Sequence, residues 1–296
     1  MSRFLRKTSF AGICLTLTLG VMEQLSLAEN VPPAVPGAKA SAESVAGTVE
    51  TSESNLLDKI YLNYSTTFHG AVLSQPGSPY TVDHNGYSSR SPRNAINLDG
   101  DVTAAYLFTP EIGLGPVLPV VITPVMGQGV LLGDVGLKFF NRKTVTSGGF
   151  NLHTNITVQA PTSQWSQNRH TLFSLKTTPK IRYVVPDSRF TFGVLTEAKA
   201  YLGVISGKTL KLWALPYVNF QIVRQFSLNL GYEIEADHFV GDPSLAMTLY
   251  QSDIQPGFVW NITPKIMLNP YVQIFTNHVL TPDHVAMGAE FSATIL

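Results

Sequence analysis

The most informative feature of this 296-residue chain is a strict alternation of apolar and polar positions. From Phe226 to Asp237 the residues Phe226, Leu228, Leu230, Tyr232, Ile234 and Ala236 share one parity. Ser227, Asn229, Gly231, Glu233, Glu235 and Asp237 share the other. Phe150 to Ala160 repeats the pattern, with Phe150, Leu152, Ile156 and Val158 against Asn151, His153, Asn155 and Gln159. A period of two is the signature of a strand with two unlike faces. Runs this long exceed the roughly 5–6 residues usual in soluble proteins and match the ~9–11 that a tilted membrane strand needs. No apolar run is long enough for a transmembrane helix, which takes ~20 residues.

Twelve such segments are predicted, over 57–69, 94–108, 112–126, 131–141, 149–160, 171–185, 189–204, 209–222, 226–239, 248–261, 265–278 and 284–295. An even number suits a closed antiparallel barrel. The connections alternate in length. With a periplasmic N-terminus, 109–111, 142–148, 186–188, 223–225 and 262–264 become periplasmic turns, and 70–93, 127–130, 161–170, 205–208, 240–247 and 279–283 become external loops. Aromatic residues of the apolar parity, among them Tyr106, Phe108, Phe139, Tyr183, Phe190, Phe192, Phe220, Phe226, Phe258 and Trp260, fall at the turn end, where a membrane interface would gather them. Pro116, Pro119, Pro124, Pro179, Pro216, Pro256 and Pro270 oppose this reading, because proline lacks the ladder donor and a closed barrel has no edge to hold it. Leu215-Pro216-Tyr217-Val218-Asn219 and Asn269-Pro270-Tyr271-Val272-Gln273 form a weak repeat. The segment 112–126 is apolar on both parities and is the least distinct strand.

The N-terminus reads as a secretory signal peptide over 1–28: Arg3, Arg6 and Lys7, then the apolar run Ala11–Val21, then Ser26-Leu27-Ala28 as a cleavage site. Ile13 before Cys14 argues against a lipid anchor. Residues 29–55, rich in Pro, Ala, Ser and Glu without an aromatic, read as a flexible periplasmic leader. The barrel occupies 56–296. Removing 1–28 removes the single cysteine, as suits an oxidising compartment.

The last strand, His284–Leu296, places Val285, Met287, Ala289, Phe291, Ala293 and Ile295 on the apolar parity, with Gly288 three residues before Phe291. It resembles the closing strand of Gram-negative outer-membrane barrels, although those usually end in an aromatic and this chain ends Ile295-Leu296. The resemblance implies an all-β, closed antiparallel transmembrane barrel in the outer membrane, with membrane lipids and the barrel assembly machinery, through 284–296, as partners. It identifies no substrate.

Composition then narrows the function. Charged residues are only 14% against ~25% in ordinary domains, and 20 Lys+Arg balance 20 Asp+Glu. No basic excess points to nucleic acid. On the polar parity Lys176, Lys180 and Arg182 share one strand, while Glu233, Glu235 and Asp237 share another. Asp99 and Asp101 add acidic groups, Lys199 and Lys211 basic ones, and His153 lies among amides. These residues are the expected pore lining. Segregated rows of charge would select small hydrophilic solutes by charge and dipole as they diffuse through a narrow lumen. Mutual neutralisation in a plugged lumen is the alternative.

Enzyme readings are weaker. His84-Asn85-Gly86-Tyr87-Ser88 loosely resembles the catalytic segment of outer-membrane phospholipase A, but lacks the serine between histidine and asparagine. His238 with Asp237 and Asp242 is a sparse metal donor set. No phosphate loop or His-Glu-x-x-His motif occurs. No catalytic residue, cofactor or metal is therefore expected. A membrane-embedded lipid hydrolase and a structural or surface-recognition barrel stay open as alternatives.

Overall fold

The structure, a computed structural model, describes residues 59–82, 95–124, 129–243 and 246–295. The segments expected to be a signal peptide and leader, 1–28 and 29–55, and the His84–Ser88 segment lie outside the described residues. Contacts divide the chain into a barrel unit, Asn55–Asp242 with Thr248–Leu296, and a second unit, Met1–Ser54 with Pro243–Met247, most of which is outside the described residues. No described helix is long and apolar enough to cross a membrane.

The described residues of the barrel unit form twelve antiparallel strands. They are β1 (Ile60–Val72), β2 (Asn97–Leu107), β3 (Ile112–Thr123), β4 in two segments (Gly129–Leu132 and Gly136–Ser147), β5 (Phe150–Gln159), β6 in two segments (Phe173–Thr177 and Lys180–Val184), β7 (Phe190–Leu202), β8 (Lys208–Val223), β9 (Phe226–Phe239), β10 (Thr248–Thr263), β11 (Ile266–Phe275) and β12 (Val285–Thr294). Each strand pairs with its neighbours in sequence, and β1 pairs with β12 from Asn63↔Thr294 to Val72↔Ala286, closing the sheet. Every predicted segment corresponds to one of these strands. Closure removes the unpaired edges that an open sheet presents.

Two predicted boundaries move. The polar run 142–148 reads as a turn, but β4 continues to Ser147 through a bulge between Asn141 and Val145 that carries extra residues. The turn itself is only Gly148-Gly149, with φ of 53° and 86°, and Ser147 pairs with Phe150 across it. A two-residue hairpin of this kind needs positive φ at both positions, which glycine supplies without steric cost. The segment 127–130 reads as a loop, but Gly129–Leu132 pairs with Thr123–Val120. The pairing of β3 with β4 resumes at Gly136↔Val117 after a bulge over 133–135.

Five of the seven prolines sit where pairing fails on one side only, and Pro124 follows the end of β3. Pro116 pairs with Leu137 on β4 and falls in a gap of the β2 register. Pro119 pairs with Asp101 on β2 and falls in the β4 bulge. Pro216, Pro256 and Pro270 pair with Val194, Leu230 and Ala289, each beside a gap toward its other neighbour. In an antiparallel strand the N–H and C=O of one residue point to the same neighbour. Losing the N–H therefore interrupts one ladder and spares the other. Pro179 occupies the break in β6, and its carbonyl accepts the Thr196 N–H at 3.0 Å.

The outer wall is apolar. Leu137, Phe139, Ile156, Val158, Leu175, Leu228, Leu230 and Ile254 are all exposed. Ring pairs gather at the end carrying the short turns, including Phe190–Phe220 and Phe226–Phe258, each with centroids 5.0 Å apart. At the other end a small buried cluster joins Val72, Val82, Phe275 and Ala286.

Candidate functional site: the barrel interior

The second parity of the strands faces inward and encloses a cavity of about 350 Å³. Its wall holds the carboxylates Asp99, Glu197, Glu233, Glu235 and Glu290, the amides Gln251, Gln255 and Gln273, the rings of Trp213, Tyr271 and Phe275, and the cation Lys211. Thr81 and Val82, from the connection after β1, also line it.

The period-2 pattern places residues on a face but does not show which charges meet. The structure does. Lys208 reaches Glu235 at 3.2 Å and the fully buried Asp237 at 2.6 Å. Lys211 reaches Glu235 at 2.7 Å. Lys176 lies 3.9 Å from Asp101 and 3.8 Å from Glu197. Glu235 and Asp237 of β9 are thus met by lysines of the adjacent β8, and Lys176 of β6 by carboxylates of β2 and β7. Lys199 is the register partner of both Lys176 and Lys211, and its ammonium lies 4.9 Å above the Tyr201 ring. Lys180 pairs in register with His153, and Arg182 with Asn151. Among the described residues neither Lys180 nor Arg182 has a carboxylate within ion-pair distance.

Glu233 and Asp253 are register partners on β9 and β10, two carboxylates side by side. They are held by N–H donors instead of cations. Trp213 Nε1 donates to Glu233 at 2.7 Å, Gln251 and Gln273 donate to Asp253 at 2.8 and 2.9 Å, and Gln255 donates to both. Asp253, Glu197, Glu290, Lys208 and the glutamines were not singled out by the sequence reading. Except for Lys208, which falls in the predicted loop 205–208 and lies before a register shift at Leu210, their signal was available: each continues the polar parity of its own strand, but an isolated charge or amide does not stand out as a row does.

The two Pro-Tyr-Val repeats serve one local construction. Tyr217 has Gly193 and Gly231 as register partners on its two sides, and Tyr271 has Gly257 and Gly288. A Cβ on Gly193 would lie 2.3 Å from the Tyr217 ring, and one on Gly288 would lie 2.4 Å from the Tyr271 ring. Each tyrosine therefore lies flat over a glycine of the next strand, on the inner face.

Among the described residues no group of three or more His, Cys, Asp or Glu is arranged to hold a metal ion. His238 instead contacts the Thr209 hydroxyl.

The fold is thus a closed twelve-stranded antiparallel barrel with an apolar outer wall and a polar, charged interior. The solved structure of an outer membrane channel from Pseudomonas putida F1 matches with a TM-score of 0.50 at 11% identity, over 80% of this chain and 96% of that one. The NanC porin structure matches with a TM-score of 0.42 at 8% identity, over 79% of this chain and all of the other. No family model and no curated protein matches the sequence.

Proposed function

We propose that this protein is an outer-membrane channel through which small hydrophilic solutes diffuse passively. The observation that carries the reading is the inside-out distribution of polarity around a closed wall, with a cavity of about 350 Å³ inside it. An apolar exterior of this extent fits a lipid environment, and a closed sheet leaves no unpaired edge strand. The fold shared with a protein described as an outer membrane channel supports the same reading. Export by the 1–28 signal and insertion through the 284–296 strand belong to this proposal, as do outer-membrane lipids as its surroundings. The interior residues Asp99, Asp101, Lys176, Lys180, Arg182, Lys199, Lys211, Glu233, Glu235, Asp237 and His153 would line the path.

The test is conductance. Purified, folded protein in a planar bilayer is expected to give discrete single-channel currents in KCl. Consistent absence of current from folded, inserted protein would reject the channel reading.

A further inference from the structure

Lys176 occupies an unusual position. It lies on β6, and Asp101 lies on β2, four strands away around the wall and not hydrogen-bonded to β6. The 3.9 Å approach of their charged groups therefore spans the interior. Glu197 on the adjacent β7 reaches the same ammonium at 3.8 Å. One cation is shared by a carboxylate across the interior and another on the adjacent strand. All three side chains keep some access to solvent, at 19%, 29% and 22% exposure, so water reaches the group.

The wall itself makes this arrangement costly to lose. Lys176 is paired in register with Lys199, and Lys199 with Lys211, so ammonium groups sit on three consecutive strands. Like charges placed directly opposite repel. Glu235 relieves Lys211, and Asp101 with Glu197 relieves Lys176.

We propose that Lys176 determines the charge selectivity of the permeation path, by closing an ionic bar across the interior with Asp101 and Glu197. The proposal rests on the channel reading. Pairs at these distances, partly solvated, are weak enough to exchange. A passing ion competes for one side of the bar or the other. Without the ammonium, Asp101 and Glu197 each lose a cationic partner, and the path favours cations. Without the carboxylates, the lysine remains and favours anions.

The experiment measures reversal potentials of the full-length protein in planar bilayers under a KCl gradient, comparing wild type, Lys176→Gln, Lys176→Arg and the double variant Asp101→Asn/Glu197→Gln. Lys176→Gln is expected to raise the potassium-to-chloride permeability ratio about twofold or more, and the double variant to lower it by a similar factor. Lys176→Arg keeps the charge and is expected to keep the ratio. The shifts are expected to shrink from 0.1 M to 1 M salt as the screening length falls from ~10 to ~3 Å, which a purely steric role would not produce. Conducting variants with an unchanged ratio would overturn the proposal and leave the channel intact. A silent wild type would overturn both. If one variant fails to insert, the other reads the same bar from the opposite side.

Discussion

At the scale of single residues, the interior is shaped by close approaches that only glycine permits. Gly288 and Tyr271 illustrate the constraint. The ring lies where a Cβ would stand, so Gly288→Ala must displace Tyr271 from the inner wall. Overpacking of a fixed ring costs about 1–3 kcal/mol. We expect Gly288→Ala to lower unfolding stability in lipid vesicles by about that amount, read from urea titration. Tyr271→Ala removes the obstacle, so the double variant should lose less than the sum of the two single losses, the mark of residues in direct contact. Additive losses would show that the ring does not rest on Gly288. The repeat of Pro-Tyr-Val was visible in the sequence, but its meaning was not. The glycines lie on other strands, and the contact exists only once the register is set.

Elements show what alternation can and cannot reveal. A strand needs only two faces of different polarity, and that property survives in the sequence, which is why the strands were legible. Prolines and bulges follow from which neighbour each N–H addresses, and parity alone does not carry that information. The connection between β5 and β6 is a further case. It holds a short helix, Gln164–Asn168, capped by the Ser163 side chain and pinned to the β4 bulge by Asp134. The Asp134 carboxylate accepts the Ser163 N–H at 2.9 Å and the Ser166 hydroxyl, while Arg169 stacks 3.6 Å over Trp165 and Trp165 packs on the inward Tyr201. One buried carboxylate thus orders a whole loop. Hydrogen bonds to a charged acceptor contribute about 1.5–3 kcal/mol. Asp134→Ala is expected to accelerate hydrogen exchange at Ser163 and Ser166 by about ten- to a hundredfold while the strand amides of β8 and β9 keep their protection. Unchanged exchange in the loop would mean that the aromatic stack alone holds it.

For the molecule as a whole, the deciding property is that inside and outside are exchanged relative to a soluble protein. The parity that a soluble sheet would bury is the exposed one here, and the charges meet across an enclosed space. Which charges meet was illegible in the sequence because period two assigns a face and says nothing about the far wall. Asp101 and Lys176 lie 75 positions apart and share no local pattern. The faces themselves can be tested with one residue type placed on each. Leu230 points outward from β9 and is 48% exposed. Thr67 points inward from β1, lines the cavity, and has Glu290 and Asp99 as its register partners on either side. If the outer wall meets lipid, Leu230→Lys places an ammonium in hydrocarbon and costs about 2–4 kcal/mol near the bilayer midplane, falling to about 0–1 at the interfaces. Thr67→Lys places the same group in a wet interior between two carboxylates, where opposite charges across strands stabilise by about 0.2–1 kcal/mol. Folding titrations in vesicles should therefore separate the two variants, with the outward lysine the weaker, by about 2–5 kcal/mol for a midplane position and less toward the interfaces. A soluble sandwich would reverse the order, because there the wall at Leu230 would meet water and tolerate the charge.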